Sequence, residues 1–217
     1  MLMHKASEFH PSEMISADAI PDGHLALSPR LGNRHAGLLA GSLVETAGGW
    51  RRVETLSPGA CVATFDGGYA KLTRVEHRTL WPALSDEVIF VPAGALDNCS
   101  DFSLLADQLV LLTSDIAQEV LDAPGAMFPA AALVGFRGIT RQPILNPVEV
   151  LTLRFADEEV VYVNSGALIH CAAEGPDAKS GAMAKRYFEV LEEPRAQAML
   201  GLMAAGVFTT HGVQQAA

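Results

Sequence analysis

The fold is decided by two neighbouring stretches, Gly37-Leu38-Leu39-Ala40-Gly41-Ser42-Leu43-Val44-Glu45-Thr46 and Gly49-Trp50-Arg51-Arg52-Val53-Glu54-Thr55-Leu56-Ser57-Pro58-Gly59-Ala60-Cys61-Val62-Ala63-Thr64-Phe65-Asp66-Gly67. In the first stretch and the start of the second, β-forming residues flank Ala47-Gly48-Gly49, which predicts a hairpin that turns at the glycines. Residues 60–65 are again rich in β-formers, and Asp66-Gly67-Gly68 predicts a second hairpin turn. Short strands joined by glycine-rich turns, without long helices between them, favour a mainly β fold over a doubly wound α/β fold.

Further strands are predicted outward from this stretch, at 69–81, 88–91, 109–113, 148–155, 160–163 and 168–171. The runs 148–155 and 160–163 flank Ala156-Asp157-Glu158-Glu159, so we expect them to form a hairpin with its carboxylates solvated at the tip. Residues 160–163 are all apolar, which is typical of a strand buried on both faces.

The two ends of the chain differ from the strand-rich centre. Residues 1–35 are irregular and contain several prolines and glycines, which predicts an arm. Near the other end, apolar residues at helical spacing predict a helix over 183–191, and Pro194 fits the start of a second helix over 195–205. The predicted organisation is an N-terminal arm (1–35), a β domain (36–173), and a linker with a helical tail (174–217).

Composition limits the classes of function. The 217 residues are 49% apolar and 18% charged, which can fill a core, and the net charge of −10 disfavours nucleic acid as a partner. Cys61, Cys99 and Cys171 contain no CxxC pair, so neither a disulfide framework nor a zinc site is expected, and no other metal or cofactor site is predicted. With no membrane span or secretory signal visible, we expect a cytoplasmic protein that does not bind membranes.

The opening stretches resemble the start of Hedgehog/intein (Hint) domains, in which a nucleophile and a small-Gly-Thr step precede Val-Glu-x-Leu-x-x-Gly-Asp-x-Val-x-Thr. Residues 148–153 and 160–171 are similar to the closing block of the family, which ends in apolar residues and His-Asn. The resemblance covers about 36–173 and is to the bacterial branch outside true inteins. It implies a curled β-fold with a C-terminal helical appendage, in which Gly37 lies close to His170 and Cys171.

The positions that carry out self-processing in the family are altered here. The resemblance places Gly37 at the nucleophile, although glycine has no attacking group. Leu105 and Gln108 stand at the Thr and His of Thr-x-x-His, and Gln108 cannot transfer a proton at neutral pH. His170 is retained, but Cys171 replaces the terminal Asn. The Asp of the turn motif is also missing, because that position is Ala60.

These changes favour a catalytically degenerate, non-enzymatic binding or regulatory scaffold with an unidentified protein partner, and self-association through the helical tail is an open alternative. The rival hypothesis is self-processing by a displaced nucleophile such as Ser42 or a cysteine. A small hydrolase is a third possibility, for which the sequence shows no triad. Neighbouring strand residues face apart, so His170 and Cys171 are not expected to act together. Cys61 is expected in the core and Cys99 on an exposed loop.

Overall fold

The structure is a computed structural model that describes residues 36–82, 87–174 and 188–205. Within those residues the strands are β1 (Leu38–Leu39), β2 (Leu43–Thr46), β3 (Gly49–Arg52), β4 (Cys61–Ala63), β5 (Tyr69–Lys71), β6 (Arg74–Leu80), β7 (Glu87–Val91), β8 (Phe102–Leu104), β9 (Leu109–Thr113), β10 (Gly125–Pro129), β11 (Thr140–Pro143), β12 (Val148–Arg154), β13 (Glu159–Val163) and β14 (Ala167–Cys171). The α-helices described are α1 (Asp115–Leu121) and α2 (Glu193–Ala205), with 3-10 turns at Val53–Thr55, Ala130–Leu133 and Phe136–Gly138. The predicted arm, 1–35, lies outside the described residues.

The strands form two antiparallel sheets. The first has the order β11-β7-β8-β1-β12-β6, and the second has the order β10-β9-β14-β13-β2-β4-β5, with β3 paired to β2. The short strand β1 lies inside the first sheet, where Leu38 is opposite Leu104 on one side and Leu151 on the other. Consequently the backbone at the start of the β domain is enclosed between neighbouring strands.

Both predicted hairpins near the start of the domain are confirmed. β2 and β3 pair with Thr46 opposite Gly49, so Ala47 and Gly48 make a two-residue turn. β4 and β5 pair with Val62 opposite Ala70, around the turn that contains Gly67. In each case the turn residues set the point at which the chain reverses.

The prediction of one long strand over 69–81 is wrong, because the chain changes sheets at Leu72. β5 belongs to the second sheet, whereas β6 pairs with β12 in the first. The side chain of Leu72 is 2% exposed. The backbone N–H of Leu72 donates to the carbonyl oxygen of Ala60, which precedes β4 of the second sheet, whereas the N–H of Thr73 donates to the carbonyl oxygen of Arg154 in the first. Burial of the Leu72 side chain in the core stabilises this break in the strand.

The predicted hairpin between 148–155 and 160–163 is also wrong. β12 pairs with β1 and β6 in the first sheet, whereas β13 pairs with β14 and β2 in the second. The acidic residues Asp157 and Glu158 therefore lie on an exposed crossover between the two sheets and not at a hairpin tip. Val161 and Val163 are buried but Val160 and Tyr162 are half-buried, so β13 is not enclosed on both faces.

The C-terminal helix is confirmed as α2, but the described end of the first predicted helix is not helical. Residues 183–187 lie outside the described residues, and residues 188–192 form no helix. Val190 instead makes a parallel bridge with Met127 of β10. Apolar spacing alone cannot distinguish a helix from an irregular segment that packs at a sheet edge.

One apolar core joins the two sheets and the tail. Leu38, Leu104 and Leu151 of the first sheet share it with Val161 and Ile169 of the second and with Leu191, Met199 and Leu200 of the tail. No helix in the described part of the chain is long and apolar enough to cross a membrane.

Candidate functional site

The backbone at Gly37 is built for a residue without a side chain. Its φ is +142°, a region that L side chains rarely adopt. A Cβ added there would lie 2.6 Å from Cγ1 of Val150 and 3.0 Å from the carbonyl oxygen of Leu151. Val150 is β-branched and 1% exposed, so its methyl group has little freedom to move away. Glycine therefore fits this position for two reasons, the backbone angle and the lack of space.

The side chain of Gln108 bridges the two ends of the domain. Its Oε1 accepts the backbone N–H of Gly37 at 2.9 Å, and its Nε2 donates to the carbonyl oxygen of His170 at 2.8 Å and to that of Leu109 at 3.1 Å. Gln108 is 5% exposed, which makes these hydrogen bonds costly to lose. The predicted closeness of Gly37 and His170 is thus observed, with one amide between their backbones.

Leu105 begins the tight turn that carries Gln108. Its carbonyl oxygen accepts the Gln108 N–H at 3.0 Å, which helps to aim the glutamine side chain. The Leu105 side chain is 4% exposed and packs in an apolar cluster with Val88, Ile144 and Val150. It therefore packs in the same cluster as Val150, the residue that limits the space at Gly37, and its side chain offers no hydrogen bond.

His170 and Cys171 end strand β14 in different surroundings. The imidazole of His170 is half-buried, and its Nε2 lies 3.8 Å from Oε2 of Glu158. The Cys171 thiol is buried; burial raises its pKa to about 12, with a smaller opposing effect from the charge of Arg154. A thiol with this pKa is almost entirely protonated at neutral pH and is a poor nucleophile.

The other nucleophile candidates differ in exposure. Ser42 is 3% exposed, and its Oγ donates to the carbonyl oxygen of Leu39 at 2.8 Å. Cys61 is half-buried on β4, so the expectation that it lies in the core is only partly met. Cys99 is exposed, as predicted. A hydrogen bond with the side chain of Ser165 lowers the pKa of the Cys99 thiol.

The model of one family, described as the Hint domain, matches residues 36–170, well over half of the 217-residue chain. The chain belongs to the Hint domain family. The match begins at residue 36 and ends at His170. It therefore includes both Gly37 and His170, the residues whose backbones Gln108 joins.

Solved structures with a similar fold are intein-like. A bacterial intein-like domain from Clostridium thermocellum is 17% identical, with 63% of this chain and 98% of that chain covered and a TM-score of 0.48. The splice-inactive AceL NrdHF class 3 split intein is 16% identical, with coverages of 64% and 99% and a TM-score of 0.44. The gp41-1 intein is 13% identical, with coverages of 63% and 98% and a TM-score of 0.42. A search of the curated proteins finds no match.

Asn164, which was not predicted as a site residue, links β2 to the segment that carries Ser100. Asn164 is 2% exposed; its Oδ1 accepts the N–H of Leu43 at 2.7 Å, and its Nδ2 donates to Oγ of Ser100 at 3.0 Å. Two residues later, a Cβ at Gly166 would lie 2.2 Å from the carbonyl oxygen of Asp97. The Asn-Ser-Gly sequence, rich in turn-forming residues, was the available signal.

Among residues 36–82, 87–174 and 188–205, no group of three or more His, Cys, Asp or Glu side chains is placed to hold a metal ion. The polar groups at the cleft are the neutral amide of Gln108, the half-buried imidazole of His170 and the backbone groups that the amide binds.

Proposed function

We propose that this protein is a Hint domain that does not cut its own backbone and serves as a non-enzymatic binding or regulatory scaffold. The observation that carries the proposal is the packing at Gly37, where a Cβ would lie 2.6 Å from Cγ1 of Val150. The position that resembles the family nucleophile both lacks an attacking atom and has lost the space for one.

The first step of Hint self-processing is an acyl shift, which needs a thiol or hydroxyl next to the preceding carbonyl carbon. Gly37 supplies only hydrogen. Replacing it with cysteine would also have to displace Val150 or change a backbone φ of +142°. This is an added barrier to restoring the reaction by one substitution.

The environment of the amide nitrogen also supports the proposal. Departure of that nitrogen requires a proton, which an imidazole can deliver near neutral pH. Gln108 instead uses Oε1 to accept the hydrogen that the Gly37 nitrogen already carries. A neutral carboxamide offers this nitrogen no transferable proton, so the contact stabilises the intact peptide bond.

Two of the candidates for a displaced nucleophile, Ser42 and Cys171, have weak support. The hydroxyl of Ser42 is buried and already donates to Leu39. The thiol of Cys171 is buried, and its pKa is raised to about 12. Both groups therefore start in an unreactive state. The remaining role that we propose is recognition of a protein partner by the retained fold, with self-association as one form of it.

Intact-mass measurement tests the absence of self-cleavage. The purified full chain is held for several days at neutral pH with dithiothreitol or hydroxylamine, which release thioesters and esters. We expect one unchanged mass. A Gly37→Cys, Gln108→His double variant treated in parallel restores the two reactive groups and shows whether the scaffold still activates the bond. Fragments of the unsubstituted protein that correspond to a break before Gly37 or after His170 would overturn the proposal.

A further inference from the structure

The chain that follows the cleft returns to the β domain and closes one of its edges. The backbone N–H of Met127 in β10 donates to the oxygen of Glu189 at 2.8 Å, and the N–H of Leu191 donates to the oxygen of Met127 at 2.9 Å. β10 is the outermost strand of the second sheet, so these bonds satisfy an edge that would otherwise be open.

Helix α2 continues from this edge and packs on the 3-10 turn Ala130–Leu133. Ala196, Met199 and Leu200 are at most 4% exposed within the shared core. Nε2 of Gln197 donates to the carbonyl oxygen of Ala132 at 2.8 Å, which fixes the helix to the turn. The apolar side of the tail is therefore used inside its own chain.

The same 3-10 turn holds the backbone of the Gln108 turn. The N–H of Ala130 donates to the oxygen of Gln108 at 2.8 Å, and the N–H of Ala131 donates to the oxygen of Ala106 at 2.9 Å. An unbroken set of contacts thus leads from α2 through Ala132 to Gln108, and from its side chain to Gly37.

We propose that α2 is a positioning element for the Gln108 bridge. Gln197 and Leu200 act through the 3-10 turn, which holds the Gln108 backbone so that its amide reaches both Gly37 and His170. Detachment of α2 then loosens the cleft while the two sheets stay folded. The inference rests on the proposed function in one respect, because it takes the Gln108 bridge to be the centre of the functional site.

Hydrogen exchange in the full-length, ¹⁵N-labelled protein tests this coupling. Gln197→Ala removes the bond to Ala132, so we expect the Gly37 N–H to exchange roughly fivefold faster, because a net hydrogen bond contributes about this factor. Leu200→Ala should accelerate it at least about tenfold, with matching changes in the side-chain NH₂ signals of Gln108. Leu202→Ala is the matched control on the same helix, since Leu202 is 36% exposed.

A second control separates positioning from general destabilisation. Leu72→Ala removes a core side chain beside β5, at the opposite edge of the second sheet from β10. In this variant, exchange of the Gly37 N–H should increase by no more than exchange of the β12 amides. In both α2 variants, exchange of the Gly37 N–H should increase by more than that of the β12 amides. Unchanged Gly37 exchange in the two α2 variants, or acceleration equal to that of β12, would overturn the inference. Intact mass is a separate readout, so failure here is distinguishable from failure of the proposed function.

Discussion

The backbone N–H of Gly37 points at Oε1 of Gln108, 2.9 Å away and 71 residues later in the chain. The nitrogen end of the same carboxamide holds the carbonyl of His170. One neutral side chain therefore connects the backbone just before β1, in one sheet, to β14 of the other. The first two predictions below concern this region, and the other two concern thiols and a carboxyl elsewhere in the domain.

The first prediction concerns the space at Gly37. Gly37→Ala should lower the free energy of unfolding by about 2–4 kcal/mol, because it adds both an unfavourable positive φ and a contact with Val150. Gly41→Ala is the matched control: Gly41 has a φ of +95° but nothing within 4 Å of its Cβ position. It should cost only about 1 kcal/mol. Urea denaturation measures the free energy of unfolding of both variants, and equal decreases would contradict the steric argument.

The second prediction concerns the bridge itself. Gln108→Leu should cost about 2–4 kcal/mol, because it leaves the buried N–H of Gly37 and the oxygen of His170 without their partner. Gln118→Leu, the same change at an exposed position of α1, should stay within about 0.5 kcal/mol of the unsubstituted protein. Thermal and urea unfolding give the comparison. Similar stabilities for the two variants would show that the bridge contributes little.

The third prediction concerns thiol reactivity. Cys99 is exposed and its pKa is lowered, first of all by the side chain of Ser165, whereas burial raises the pKa of Cys171 to about 12. With iodoacetamide at pH 7, peptide mapping should find Cys99 modified well before Cys171, since the thiolate is the reacting form.

Ser165→Ala tests the cause of the Cys99 reactivity. Loss of the hydrogen bond should raise the pKa of Cys99 and slow its modification at pH 7 by a few-fold. The difference should disappear at a pH above the thiol pKa, where the thiolate is fully formed in both proteins. Rates that are the same at pH 7 would exclude Ser165 as the cause.

The fourth prediction concerns Glu159, whose pKa is raised by burial and then by the charges of Asp66 and Asp157. A raised pKa means that folding favours the protonated carboxyl, so its contribution to stability is present below about pH 4.5 and is lost as pH rises through the folded-state value. Glu159→Gln should therefore raise stability at pH 7, by up to roughly 0.5 kcal/mol after solvent screening, and have little effect at pH 3.

Urea midpoints at the two pH values measure the Glu159 effect. Glu119→Gln on α1, at an exposed position, serves as the control for removal of one negative charge from a chain whose net charge is −10. A gain for Glu159→Gln that persists at pH 3, or a loss at pH 7, would show that the raised pKa is not its source.

Local sequence predicted the hairpins but not which strands share a sheet. Gly48-Gly49 and Gly67-Gly68 mark chain reversals because few other residues adopt the required backbone angles. By contrast, 148–155 and 160–163 are close in sequence and are predicted to pair, yet the strands that they contain lie in different sheets. Alternation of apolar residues identifies the buried face of a strand and carries no information about the neighbouring strand.

The sequence alone determined that residue 37 has no attacking atom and that residue 108 carries an amide, since side-chain chemistry follows from residue identity. Both residues also lie within the stretch that matches the Hint domain family. Only the tertiary structure decided that Val150 occupies the space of a side chain at Gly37 and that α2 supports the Gln108 turn. Those contacts join residues far apart in the chain, and the packing of the two sheets and the tail sets their distances.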